Sequence, residues 1–240
     1  MKRKSLTLRV LYRLRDWRSR ALFGALRDHC RGSVLDVGGW DFVLTAQEKA
    51  IPFEHWTTLE NDRERLLEIS DPRVEVAYGD GCDMDFDDQS FDTVLNVQVL
   101  EHVFEPIAMV REIGRVLKRG GHAIFIVPTT STMHIAPHYH YNFSRFWIEE
   151  AMARAGLEIV ELRPLGGVWS SMASHLFFFF FQSARYEGMS DARIRRNAAF
   201  YVLWPFMALF AIACFPICMV FSLGDLAEEP NNHLVIARRK

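Results

Sequence analysis

Cysteine is scarce in this 240-residue chain. The four present, Cys30, Cys82, Cys214 and Cys218, are irregularly spaced and partly set in apolar sequence. That excludes a disulfide scaffold and reads as reduced, structural thiols in a cytoplasmic protein. The Cys214/Cys218 pair lacks the further ligands that a zinc site requires. Net charge is nearly missing too, at −2, so the molecule as a whole does not advertise a nucleic-acid partner. No uninterrupted apolar stretch forms near the amino terminus, because arginine recurs at almost every turn, and no secretory signal is expected. A G-x-G-x-x-G turn is absent, which argues against a nicotinamide dehydrogenase.

The small net charge hides an asymmetry. Residues 1–31 carry ten Lys/Arg against Asp16 and Asp28, a net of +8, and leave −10 on the remainder. Apolar residues at helical spacing (Val10, Leu14, Trp17, Ala21, Ala25) predict an amphipathic helix over 5–29, with Gly32 as its stop. An arm so basic suits an anionic surface, lipid headgroups or nucleic acid. A solvated helix covering the sheet edge is the plain alternative.

Beyond Gly32 short apolar runs alternate with helical patterns. Strands are predicted at Ser33–Val37, ending near Leu59-Glu60, at Arg73–Tyr78, Phe91–Val97, Ala123–Val127, Leu157–Leu162 and His233–Ala237. Helices are predicted to run through Ala50, from Pro106 to Lys118 with Arg119 and Gly120-Gly121 as its stop, and from Ser144 to Ala155. This alternation implies a parallel sheet covered on both faces.

Three acids stand at the ends of successive predicted strands: Asp36 in the turn with Gly38 and Gly39, Glu60 closing strand two, and Asp80 before Gly81. Open α/β sheets bind ligands beyond the carboxyl ends of their strands, where the winding direction switches. A carboxylate ending strand two is placed to accept from both ribose hydroxyls. An acid after strand three reaches an adenine amino group. Glycines in the first turn let backbone approach a ligand. Any one of these alone reads as a solvated acid or an ordinary turn; three in register do not.

Ser90–Gly121, SFDTVLNVQVLEHVFEPIAMVREIGRVLKRGG, resembles the class I S-adenosylmethionine-dependent methyltransferases, in the broad type 11-like group that includes ubiquinone and bacterial glycan-cluster enzymes. Pro137–Ile159, PHYHYNFSRFWIEEAMARAGLEI, is similar to an element of the glycan-cluster members. The resemblance covers about residues 33–163 and the terminal strand. It implies S-adenosyl-L-methionine as cofactor and a Rossmann-like seven-stranded α/β sheet, strands one to six parallel and the last antiparallel. It also implies that Asp36, Gly38 and Gly39 line the methionine end of the cofactor, Glu60 holds the ribose, Asp80 and Gly81 meet the adenine, and Asn96, Val97 and Gln98 form the pocket wall. One departure stands out. The usual turn, D-x-G-x-G-x-G, keeps Gly38 here, but Trp40 and Phe42 occupy the next two glycine places.

Methyl transfer asks mainly that a nucleophile be held in line with the methyl group and that water be kept out. An oxygen nucleophile is helped by a general base, most often His. Among His102, His134, His138 and His140 the catalytic candidates are His138, in the loop after strand five, and His102 in the LEHV segment. The spacing of His134, His138 and His140 suggests a metal only weakly, since no carboxylate or Cys lies close in sequence, and no metal is expected.

After strand six the chain becomes apolar over 167–182, with Phe177–Phe181 unbroken, and residues 198–223 carry no charge. That second run is long enough to span a bilayer. Basic residues flank both its ends, Pro205 and Pro216 are expected to break it into short helices, and the last strand has to rejoin the sheet. A monotopic or re-entrant element in one leaflet is therefore expected; an apolar lid and a true span are the alternatives. The organisation read from sequence is a basic amphipathic helix at 1–31, a methyltransferase domain at 32–165 plus 232–238, and a hydrophobic, membrane-associated helical insertion at 166–231. The resulting functional expectation is a methyltransferase at the inner face of the cytoplasmic membrane, acting on a small or lipid-linked acceptor such as a glycan, a polyprenyl-linked or a quinone-like molecule. No nucleic-acid partner is expected: the apolar region does not suit one, and the Asn/Asp-Pro-Pro-aromatic element of base methylases is absent. The competing reading is a methyltransferase-like binding or scaffold protein weakened by its altered glycine turn.

Overall fold

The computed structural model describes residues 19–191 and 193–240. Most of the basic amphipathic segment lies outside the described residues. Its last part is helix α1 (Arg20–His29), which buries Leu22, Phe23, Ala25 and Leu26.

Seven strands follow: β1 (Ser33–Val37), β2 (His55–Glu60), β3 (Val74–Tyr78), β4 (Phe91–Val97), β5 (Leu117–Pro128), β6 (Leu157–Leu165) and β7 (Asn232–Arg239). They form one sheet in the order β3-β2-β1-β4-β5-β7-β6. β7 runs antiparallel to both neighbours, and the other adjacent pairs are parallel. This is the architecture that the family resemblance implies. The winding switches between β1 and β4, which opens a crevice at the carboxyl end of β1.

Side chains alternate across the pleat, so each strand feeds two cores. Val34, Trp56, Leu95, Ile124 and Ile236 pack with α1 and with α2 (Phe42–Glu48). Leu35, Val94, Phe125 and Val235 pack with α3 (Pro106–Val116) and α4 (Arg145–Arg154). α3 carries its apolar face on Met109, Val110, Ile113 and Val116, each contributing about 1.5–3 kcal/mol on burial. At Gly114 a Cβ would fall on the carbonyl oxygen of Ala155, so glycine there sets how closely α3 approaches the end of α4.

α3 ends at Val116, short of the Lys118 expected from sequence. Leu117 instead pairs with Phe91 and is fully buried. The pairing resumes at Thr93 with His122, so Lys118–Gly121 forms a bulge in which Gly120 takes φ +77°. Burial of Leu117 in the sheet outweighs one further half-turn of helix.

Between β6 and β7 the chain leaves the sheet as a helical hairpin, α5 (Val168–Ser183) and α6 (Ala198–Phe221). Pro205 and Pro216 do not break α6, contrary to expectation; both lie inside one continuous helix. Each proline removes a single N–H, and the bonds of neighbouring residues carry the helix past it. At ~1.5 Å per residue α6 is about 36 Å long. Asp225 closes the base of the hairpin by accepting the N–H groups of Trp169 (2.7 Å) and Ser170 (3.0 Å) in the first turn of α5. At the tip the Arg196 guanidinium donates to the carbonyls of Gln182 and Ser183.

Candidate functional site

β1 ends in Asp36-Val37 and turns at Gly38-Gly39. Asp36 is fully buried, and neither carboxylate oxygen meets a hydrogen-bond donor among the described residues. Burial, with Glu60 adding to it, pushes its pKa up to about 8. Such a group is expensive to bury alone and is suited to a ligand that brings donors or positive charge. The turn folds directly over it, since a Cβ at Gly39 would fall on the Asp36 carboxylate. Gly38 has φ +73°, and a Cβ there would lie 2.9 Å from a methyl of Val99. The two glycines thus let the turn pack directly on the Asp36 carboxylate and on Val99.

Glu60, at the end of β2, is buried and accepts the Trp40 N–H at 3.3 Å. Burial raises its pKa, and the Trp40 N–H works against that rise. Trp40 takes φ +44°, a left-handed conformation where the family pattern has glycine. Its ring is 46% exposed and has the Arg65 guanidinium 5.7 Å from its centroid. Arg65 belongs to a short 3-10 turn, Arg63–Arg65, after β2.

Asp80 and Gly81 follow β3. Asp80 is exposed and accepts the Cys82 N–H at 2.8 Å. Gly81 is buried, and a Cβ there would lie 2.5 Å from Met109 Cε and 3.0 Å from Val37 Cγ1. Asn96, fully buried in β4, donates its amide to Met109 Sδ at 3.3 Å, and its Oδ1 meets no donor among the described residues. Val97 turns to the opposite face and packs on the α1/α2 core. Gln98 has φ +58° and donates its amide to Asn232 Oδ1 at 2.7 Å, tying the end of β4 to the start of β7.

Asp36, Gly38, Gly39 and Glu60 therefore come together around one turn, and Asn96 and Gly81 meet through Met109. The histidines divide. His138 is exposed, and its carbonyl oxygen lies 2.5 Å from His102 Nδ1. His140 lies against the rings of Phe104 (5.7 Å) and Tyr141 (6.2 Å). His102 and His134 meet edge to face at 4.9 Å, with Tyr139 beside both at 5.8 and 4.8 Å. Burial lowers the pKa of His102.

Sequence reasoning did not foresee Glu101. It sits in the 3-10 turn Leu100–His102, is fully buried, and has both carboxylate oxygens without a donor among the described residues. Its Oε1 lies 3.9 Å from His102 Nε2 and 3.8 Å from His134 Nε2. The expectation that no carboxylate stands near these histidines is thus corrected: β4 delivers one to the loop after β5. An acid adjacent to His102 within an apolar segment was the available signal.

An open apolar cleft of about 890 Å³ lies between α5 and α6. Its lining includes Thr130, Ser171, His175, Phe179, Phe206 and Phe210. Thr130 follows β5 directly, and its hydroxyl bonds to that of Ser171 at 2.7 Å. The cavity therefore begins at the carboxyl end of the sheet, the end that carries the glycine turn.

A family model for a methyltransferase domain matches residues 46–125. The chain is 30% identical over 158 residues to a phosphatidylethanolamine N-methyltransferase of Cereibacter sphaeroides, covering 58% of this chain and 77% of that protein. It is 28% identical over 163 residues to a chloroplastic 2-methyl-6-phytyl-1,4-hydroquinone methyltransferase of Oryza sativa subsp. japonica, covering 64% of this chain and 49% of that one. The chain spans 56%, 77% and 49% of the length of the first curated relatives it matches. An S-adenosylmethionine-dependent methyltransferase of Mesorhizobium loti superposes with a TM-score of 0.56 at 15% identity, over 92% of this chain and 98% of that one. That likeness is one of fold.

Proposed function

The chain belongs to the S-adenosylmethionine-dependent methyltransferase family, and we propose that it methylates a lipid-linked or amphipathic acceptor at the inner face of the cytoplasmic membrane. The observation that carries this reading is the apolar cavity between α5 and α6, which begins at Thr130 beside the strand ends. A cavity of this size suits the apolar portion of an amphipathic molecule whose polar end reaches the cofactor. Two relatives carry lipid substrates in their names, a phosphatidylethanolamine and a phytyl hydroquinone.

The residues present fit the cofactor. Asp36 offers two buried oxygens that meet no donor among the described residues, and Gly38 and Gly39 let backbone approach them without a Cβ. Asp36 and the two glycines would hold the methionine end, Glu60 the ribose hydroxyls, and Asp80 with Gly81 the adenine edge. Asn96, Val97 and Gln98 would wall the pocket, with Gln98 held by Asn232. S-adenosylmethionine, when bound, supplies an electrophilic methyl group on a sulfonium. The Trp40 side chain is 46% exposed and has the Arg65 guanidinium beside it, which favours an active enzyme over a scaffold. For an oxygen acceptor, exposed His138 is our candidate to take the proton. His102 supports that loop through the His138 carbonyl, and only its Nε2 face remains for any contact with the acceptor.

The hairpin is the membrane element in this reading. α6 passes the length and hydropathy criteria for a span, and few of its residues are buried. Its chain re-enters the sheet as β7, which supports a hairpin seated in one leaflet. The link between the helices carries Arg185, Arg193, Arg195 and Arg196. Arg193 is engaged by Asp191 at 2.7 Å and Arg196 by the end of α5, so the link attracts anionic lipid by less than the ~1 kcal/mol per residue of unpaired arginines.

The test is incubation of the protein with methyl-labelled S-adenosylmethionine and a bacterial lipid extract. Label in the organic phase, lost on Phe206→Asp in the cavity wall, supports the proposal. Label found only in water-soluble products overturns the acceptor class.

A further inference from the structure

Three acceptor atoms converge on one point with no donor between them among the described residues. His102 Nδ1 lies 2.5 Å from the His138 carbonyl oxygen, and His134 Nδ1 lies 3.0 Å from that of Thr132. A carbonyl only accepts, so each Nδ1 carries the ring hydrogen, and each Nε2 presents a lone pair. Both lone pairs face Glu101 Oε1, at 3.9 and 3.8 Å. Glu101 is fully buried, and both its oxygens lack a hydrogen-bond donor among the described residues. Lone pairs and a buried carboxylate repel one another unless a positive charge lies between them.

We propose that Glu101, His102 and His134 form a binding site for one divalent first-row transition cation. The ligand atoms all lie within 4.8 Å of one another. Bonds of about 2.0–2.2 Å to a common ion place ligand atoms roughly 3.0–3.5 Å apart, so the set has to close by about half an ångström or more. The rings are oriented for it. Imidazoles that bind metal through Nε2 typically donate Nδ1–H to a backbone carbonyl, which fixes tautomer and direction. Tyr139 packs against both rings. Two imidazoles and one carboxylate select zinc, iron(II), cobalt or manganese rather than calcium or magnesium, and leave positions for water. The site lies next to the cofactor turn in the fold. Val99, two residues before Glu101, is the side chain that a Cβ at Gly38 would strike. The site is built from side chains of the 3-10 turn and the loop after β5, and is the same whatever the acceptor.

The experiment uses the full chain in detergent, stripped with chelator, dialysed and titrated with Co²⁺. One equivalent per chain by elemental analysis, with d–d absorption in the visible, is the expected result. His134→Ala, on a half-buried loop position, should weaken Co²⁺ binding at least tenfold with the far-UV circular dichroism unchanged. His140→Ala, whose ring faces Phe104 and Tyr141 instead, should leave it unchanged. Failure of the wild-type chain to take up one equivalent overturns the proposal without recourse to any variant. So does equal affinity in wild type and His134→Ala.

Discussion

Glu60 accepts the backbone N–H of Trp40 at 3.3 Å, so the acid that ends β2 holds the turn that follows β1. The bond keeps a bulky residue in a left-handed conformation at φ +44°, at a cost of about 1–2 kcal/mol for a residue with a Cβ. Trp40→Gly removes that strain and leaves the N–H in place. Affinity for S-adenosylhomocysteine, read by calorimetry, should stay within a few-fold of wild type. A hundredfold gain would mean that the native indole obstructs the pocket.

Asp36 makes the ligand-free protein pH-sensitive. Burial pushes its carboxyl up from the ordinary value of 3.8, held in the unfolded chain, to about 8 in the folded one. Below about pH 4 both states are protonated and burial costs little. As pH rises toward 8 the unfolded chain ionises first, and stability falls. Asp36→Asn, which mimics the protonated acid, should flatten this slope and raise the ligand-free melting temperature at pH 8. The same variant should bind S-adenosylhomocysteine less well. A melting curve at pH 8 no higher than wild type would show that Asp36 is not the strained group.

Asp225 satisfies two N–H groups at the start of α5 from the far end of α6. Asp225→Ala should therefore cost about 1–2 kcal/mol, as the loss of a helix cap does. Proteolysis should also become faster in the link between the helices. Unchanged melting and cleavage would mean that the hairpin is held by its apolar contacts alone.

The proposed membrane element is the hairpin of α5 and α6. Removing residues 167–230 and bridging the gap should move the protein to the soluble fraction. Burial of ten large side chains of this segment in lipid contributes on the order of 15 kcal/mol before ordering costs, so the intact protein should resist a high-salt wash. Ser222→Cys should not react with a membrane-impermeant thiol reagent added outside intact cells. Efficient labelling from outside would mean that α6 crosses the bilayer.

The sheet was legible in the sequence because its evidence is local. Runs such as Phe91–Val97 are apolar, bounded by turns, and found where expected. The three strand-end acids were legible because their spacing repeats with the β-strands. Where local rules misled, tertiary packing had decided otherwise. Leu117 continues a helical pattern, yet its burial beside Phe91 recruits it to β5. Pro205 and Pro216 disfavour a helix interior, yet α6 carries both. Glu101 is hard to read from sequence because chain distance says nothing about a carboxylate in the turn after β4 meeting His134 in the loop after β5. Gln98 was legible as a position, but its bond to Asn232 joins residues too far apart in sequence for any motif to connect.

Isothermal calorimetry with S-adenosylhomocysteine probes the proposed cofactor site, where Asp36 and Glu60 come together around the Gly38-Gly39 turn. Wild-type protein should bind one equivalent at micromolar concentration. Glu60→Ala should weaken binding tenfold or more, about 1.4 kcal/mol, since Glu60 both supports the Trp40 turn and faces the ribose in this account. No heat and no thermal shift at millimolar ligand would contradict it, and would leave a methyltransferase fold that has lost its cofactor.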